Sequence, residues 1–264
     1  AVMERKAERA VYARALRILS EDLARYHEKN VVILIDEYDV PLKNAYFMGF
    51  YDEMIAFIRS LFESALKTNP NLAFGVVTGC LRISKDSIFT GLNNLKVYSV
   101  LSAAFSSSFG FNEGEVKELL EYYSISEKYP ELKQWYDGYR YGGQEIYNPW
   151  SIINYVYDKT VNQENFPRLY WSNTSSNNII RELIEQADED TREDLERLMD
   201  GETIEKPVHE EVTYGDIHES TDNLWNFLYF TGYLKECGRR SDGETLYISL
   251  AIPNTEIRSI YRQS

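Results

Sequence analysis

The segment Val31-Val32-Ile33-Leu34-Ile35-Asp36-Glu37-Tyr38-Asp39 constrains this chain more than any other stretch. Five apolar residues, four of them β-branched, run unbroken and stop at two carboxylates. Such a run reads as a strand covered on both faces, as in a parallel sheet. A buried parallel strand delivers whatever follows it to the carboxyl edge of the sheet, where open α/β folds bind ligands. Two readings of the carboxylates stay open on this motif alone. They serve a metal-dependent site, or the strand ends in a solvated acidic turn.

The neighbouring patterns support an α/β layer. Val11, Ala15, Ile18, Leu19, Leu23 and Tyr26 recur at helical spacing, which predicts an amphipathic helix over 3–28, ended by Asn30. After the strand, Pro41 is expected to block helix continuation, leaving a loop through Gly49. Met54, Ile55, Ile58, Leu61, Phe62, Ala65 and Leu66 form a second helical stripe. Asn69-Pro70-Asn71 is a turn, 72–77 a second buried strand, and 97–101 a third. Helix and strand in this order predict right-handed crossovers and a parallel sheet covered by helices.

Beyond Gly110 the periodicity turns helical. Helices are expected from Asn112 or Glu113 through Tyr123, over 131–136, over 149–157 and over 179–199, with a glycine-rich turn at 139–143. No strand pattern is visible between Ser102 and Lys206. From Leu224 the order is helix, strand 233–236, turn Ser241-Asp242-Gly243, strand 245–250 and a helix after Pro253. That order suits a winged-helix-like module.

Charge and cysteine content exclude several classes. The net charge is −14, and residues 182–222 hold 16 Asp/Glu against 3 Lys/Arg. This stretch is unsuited to a phosphate backbone, which is bound by Lys and Arg displacing counterions, and reads as a solvated acidic face. The two cysteines, Cys80 and Cys237, are too few for a disulfide framework and fit a reducing cytoplasm. His27, His209 and His218 are scattered, without zinc-site spacing. No apolar run approaches the roughly 20 residues of a membrane span, and no signal-peptide pattern is present. The chain begins at Ala1 within a helical pattern, so it is expected to be a fragment of a longer protein.

An apolar run followed by Asp-Glu is the Walker B pattern. In that reading Asp36 holds Mg²⁺ beside nucleotide phosphates, and Glu37 orients or deprotonates the attacking water. Tyr38 and Asp39 extend the motif. The second strand ends at Thr78-Gly79 with Arg82 close behind, as a phosphate sensor would; a surface arginine is the alternative. A P-loop, Gly-x-x-x-x-Gly-Lys-Ser/Thr, has no counterpart, since the chain contains no Gly-Lys pair. The phosphate-binding half of such a site is expected before Ala1. The block 135–150 (WYDGYRYGGQEIYNPW) reads as an aromatic corner packed between helices; base stacking by Tyr136, Tyr139, Tyr141 and Tyr147 with Arg140 is the competing reading.

Residues 31–42 (VVILIDEYDVPL), 51–66, 78–95 (TGCLRISKDSIFTGLNNL), 109–123, 135–150, 170–177 (YWSNTSSN) and 224–233 (LWNFLYFTGY) together resemble the bacterial AAA-ATPase-like family, in the family's order. The resemblance implies a P-loop NTPase, often fused to a C-terminal PD-(D/E)XK nuclease-like domain. It implies ATP and Mg²⁺ as ligands, Asp36 and Glu37 as the Walker B pair, and Thr78 and Arg82 as motif positions near the nucleotide. It makes 135–150 part of a lid. A nuclease site of this chain's own is not expected: Glu131-Leu132-Lys133 is the central Glu-x-Lys, and it sits in a helical pattern.

The expected fold is therefore α/β. Part of a parallel-sheet P-loop NTPase core occupies 1–110, a helical lid 111–206 and a winged-helix-like region 207–264. The expected function is that of a cytoplasmic bacterial ATPase segment, which in intact form binds and hydrolyses ATP with Mg²⁺ and is inactive as this piece alone. The alternative is a degenerate, non-hydrolysing module that binds protein or nucleic acid.

Overall fold

The computed structural model describes residues 8–81, 88–89, 92, 94–171, 188–210 and 220–263. It divides the chain into two compact units, Ala1–Val97 with His209–Asn223, and Tyr98–Val208 with Leu224–Ser264. The fold is mixed α/β, with one short parallel sheet and two small antiparallel sheets among the described residues. No helix among them is long and apolar enough to cross a membrane.

In the first unit, a single turn α1 (Arg9–Tyr12) precedes α2 (Ala15–His27). The expected continuous helix is thus interrupted at residues 13–14, and Glu28, in the left-handed region at φ 53°, ends it before Asn30. Strand β1 (Val31–Ile35) pairs in parallel with β2 (Leu72–Val77), Ile33 opposite Gly75 and Ile35 opposite Val77. Between them lie α3 (Val40–Phe47) and α4 (Tyr51–Phe62), the latter running into a π-helical turn, Glu63–Lys67.

Three expectations change here. The loop expected over 41–49 is helix α3. Pro41 sits in its first turn, where a missing N–H costs nothing because that donor has no helical partner. Residues 97–99 are irregular and 100–101 a turn, not a third strand, and the Val100 carbonyl accepts the Gly142 N–H at 2.8 Å. The sheet is also not covered on both faces by the described residues: Val32 is 58 % and Leu34 73 % exposed. Ile33 and Ile35 face the covered side, where a Cβ on Gly75 would stand 3.0 Å from Leu66 Cδ2. An apolar run reports that a strand is hydrophobic; it does not report how many layers cover it. Below the strand ends, Leu42, Ala45, Ile58, Phe62, Ala65, Leu66 and Ile88 are buried, and Tyr38 packs edge-on against Phe89 at 5.2 Å.

In the second unit, α5 (Glu113–Tyr122) starts at a capping box. Asn112 accepts the Glu115 N–H, and Glu115 accepts the Asn112 N–H. Helix α6 (Tyr129–Tyr136) leads into the hairpin β3 (Tyr139–Tyr141) and β4 (Gln144–Ile146), turned by Gly142 and Gly143 at positive φ. These strands correct the all-helical reading of 102–206; at three residues each they are too short to display an alternating pattern. Asn148 caps α7 (Pro149–Val161), and α8 (Glu189–Met199) follows. Strand β5 (Ile204–Pro207) was not expected; it joins β6 (Lys235–Asp242) and β7 (Thr245–Ala251) in an antiparallel sheet ordered β5-β7-β6. Helices α9 (Thr221–Phe230) and α10 (Thr255–Gln263) flank the hairpin in sequence.

Val116, Leu120, Ile125, Leu132, Tyr136, Tyr147, Ile152, Tyr155 and Val156 form one core cluster of this unit. Tyr136, Tyr139 and Tyr147 of the aromatic block are buried, which is the packed corner rather than a base-stacking platform for those three rings. The Glu256 carboxylate is buried and joins α10 to α7, accepting the Ser151 hydroxyl and the Trp171 N–H, each at 2.8 Å.

Candidate functional site

The carboxyl ends of β1 and β2 lie side by side because the strands are parallel and in register to Ile35 and Val77. The ladder continues one step past them: the Thr78 N–H donates to Ile35 O at 2.8 Å, and the Tyr38 N–H donates to Thr78 O at 2.9 Å. Asp36 and Thr78 therefore meet, and the Thr78 hydroxyl donates to Asp36 Oδ1. The Glu37 N–H points at the same oxygens, 3.1 Å from Asp36 Oδ1 and 3.4 Å from Thr78 Oγ1.

Burial alternates sharply along this turn. Asp36 and Glu37 are exposed, whereas Tyr38 and Asp39 are buried. Glu37 has φ 51°, a left-handed conformation that a non-glycine residue adopts only where its surroundings demand it. The demand is visible. The Tyr38 ring must enter the core against Phe62 and Phe89 while Asp36 stays on the strand edge, so the backbone reverses at Glu37.

The sequence pattern gives Asp39 only as an extension of the motif. Its carboxylate accepts the Cys80 N–H on Oδ1 and the Leu81 N–H on Oδ2, each at 3.2 Å. Gly79 fits beneath it because it lacks a side chain: a Cβ there would stand 2.5 Å from the Tyr38 ring and 2.7 Å from Asp39 Oδ1. The Cys80 thiol has its pKa pushed up, by burial first and then by the charges of Asp39 and Glu37. A signal for Asp39 existed in the sequence, since an acid directly before Val-Pro is a helix N-cap pattern. That signal predicts bonds to its own helix, which are not the bonds it makes.

Of the four residues singled out from the sequence, the structure brings together Asp36, Glu37 and Thr78. Arg82 lies outside the described residues. The donor set suits a hard cation that keeps most of its water, with one exposed carboxylate and a hydroxyl at a sheet edge. No group of three or more His, Cys, Asp or Glu among the described residues forms a metal cage.

Comparison with known proteins gives a consistent picture at a coarse level. A curated relative, the "Uncharacterized protein in vnfD 5'region" of Azotobacter chroococcum mcd 1, is 27% identical over 232 residues. The alignment takes in 88% of this chain and 42% of the relative, so the chain spans less than half of that protein's length. No solved structure matches the chain. Over residues 2–89, which include Asp36, Glu37, Thr78 and Arg82, the chain matches the AAA-ATPase-like family, described as "Predicted AAA-ATPase".

Proposed function

We propose that the β1–β2 edge is the Walker B side of an ATP-hydrolysing site, with 111–206 acting as a lid and 207–264 as a winged-helix-like module, in a cytoplasmic protein. The observation that carries this reading is the meeting of Asp36, Glu37 and Thr78 at the carboxyl end of a parallel strand pair. Ligand sites of open α/β sheets lie at that edge. The family match over the same residues supports the reading.

Asp36 would hold Mg²⁺ through water, and Thr78 would fix the rotamer of Asp36 by donating to Oδ1. When bound, Mg²⁺ supplies the positive charge that offsets developing negative charge on the β- and γ-phosphates. Glu37 is exposed next to Asp36 and would accept the proton of the attacking water. Its left-handed backbone sets its side chain on the turn after the strand rather than in the sheet ladder. Arg82 would contact phosphate bidentately. Since the chain contains no Gly-Lys pair, the phosphate-cradling loop is not supplied by these residues.

The test is ATP turnover by the full-length protein with Glu37→Gln, with MgATP binding followed by calorimetry. Loss of turnover with retained binding is expected. Undiminished hydrolysis removes Glu37 from the mechanism. Failure of the full-length protein to bind MgATP favours the non-hydrolysing interaction module.

A further inference from the structure

Asp39 occupies the N-cap of α3, yet its side chain makes no cap hydrogen bond to that helix. An aspartate at this position ordinarily accepts N–H groups of the first turn. Here both carboxylate oxygens turn instead to N–H groups 41 and 42 residues ahead, those of Cys80 and Leu81. The residue is 2 % exposed, so the charge is buried and its bonds are decisive for it. Tyr38 supports the same grip, its hydroxyl donating to Leu81 O at 2.5 Å. Gly79 is the only residue type that lets the turn pass this close to Asp39 Oδ1 and the Tyr38 ring.

The held turn begins at Thr78, whose hydroxyl meets Asp36. We propose that Asp39 is a positioning residue: it clamps the 78–81 turn from below, so that the Thr78 hydroxyl is preset on the Asp36 carboxylate. The functional half of this inference rests on the nucleotide reading above; the clamp itself does not. Charge-assisted bonds to backbone N–H groups are strong and directional, which makes a carboxylate better suited to this hold than an amide. A neutral asparagine retains one acceptor oxygen and presents a donor to the second N–H. The geometry therefore predicts a loosened turn in a chain that still folds.

The experiment has two arms. In the 264-residue chain, amide hydrogen exchange is followed residue by residue for wild type, Asp39→Asn and Gly79→Ala. Both variants are expected to lose about tenfold or more of the protection at Cys80 and Leu81, the size of one lost charge-assisted hydrogen bond. Protection in β1 and α4 should change much less. In the full-length protein, Asp39→Asn is expected to lower kcat for ATP about 10- to 100-fold while KM for MgATP moves less than about threefold, the pattern of misplaced rather than missing groups. Unchanged protection at Cys80 and Leu81 overturns the clamp. Lost protection with unchanged kcat, in a protein that Glu37→Gln inactivates, overturns the positioning role. If wild type and Glu37→Gln are equally inactive, the nucleotide reading fails by itself; the exchange arm then decides the clamp.

Discussion

The strand edge of the first unit and the hairpin corner of the second treat their carboxylates in opposite ways. Around the hairpin, five acids are tied to a cation or a tyrosine. Glu113 pairs with Lys117 and accepts from Tyr129; Glu131 pairs with Lys159 and accepts from Tyr155; Lys133 bridges Asp137 and Glu145; Asp158 pairs with Arg168 and accepts from Tyr170. At the strand edge, Asp36 and Glu37 form no ion pair among the described residues, and Asp36 accepts only from Thr78 and its neighbour's N–H. Carboxylates held by fixed cations cannot take a new one without breaking a bond. The contrast separates acids engaged with cations from acids that meet none among the described residues.

The largest expected effect tests the strand-edge side of the contrast. Glu37→Gln should lower ATP turnover of the full-length protein by about 10²-fold or more, the usual contribution of a general base. Its unfolding midpoint in urea should stay close to wild type. A large loss of stability instead would mean that Glu37 belongs with the structural acids.

Glu131→Gln tests the committed side. Lys159 is almost fully buried, its ammonium 2.7 Å from Glu131 and also donating to Gln163 O and Asn165 O. Removing the negative charge should destabilise the chain by about 2 kcal/mol, less than for a fully buried pair because Glu131 is partly exposed and two carbonyls remain. Urea unfolding measures this, and a shift below about 0.5 kcal/mol would break the assignment.

Asp137 sharpens the comparison through pH. Burial, then its hydrogen bond and repulsion with Glu145, push its pKa up to about 6 from an ordinary 3.8. Because the folded state favours the protonated carboxyl, its stabilising contribution is full below about pH 4 and is lost as pH rises through about 6. Asp137→Asn keeps a donor toward Glu145 and does not titrate. Wild type should therefore lose about 1–2 kcal/mol relative to Asp137→Asn between pH 4 and pH 7. A constant difference across that range would show that Asp137 does not hold the proton.

The smallest effect on stability is expected at Asp36→Asn. The side chain is exposed and asparagine still accepts from Thr78, so the urea midpoint should move by less than about 0.5 kcal/mol. Mg²⁺-dependent turnover should nevertheless collapse. A stability loss of 2 kcal/mol would place Asp36 among the structural acids.

How legible this was in the sequence depended on how local each signal is. Strands β1 and β2 and the stripes of α4, α5 and α7 announce themselves by composition and period over five to thirteen residues. Helix α3 is hidden in the sequence because Pro41 reads as a breaker, although the first turn of a helix accepts it. Strands β3, β4 and β5 carry too little pattern in three or four residues each, and the partner of β5, strand β7, lies about 40 residues ahead, outside any local window. At the site, Asp36 and Glu37 were legible because the apolar run points to them. Thr78 was legible by its place after the second strand.

By itself the sequence determined that an apolar β-branched run ends in Asp36-Glu37, that a second such strand ends at Thr78, and that helices separate them. These follow from side-chain preference and spacing, which act within a few residues. The tertiary structure alone decided that the Asp39 side chain turns from its own helix to the Cys80 and Leu81 N–H groups, that Glu37 takes a left-handed backbone, and that Val32 and Leu34 are uncovered by the described residues. Each of those outcomes depends on groups brought together from about 40 residues away or on how many layers cover a face, and neither quantity is encoded in a local pattern.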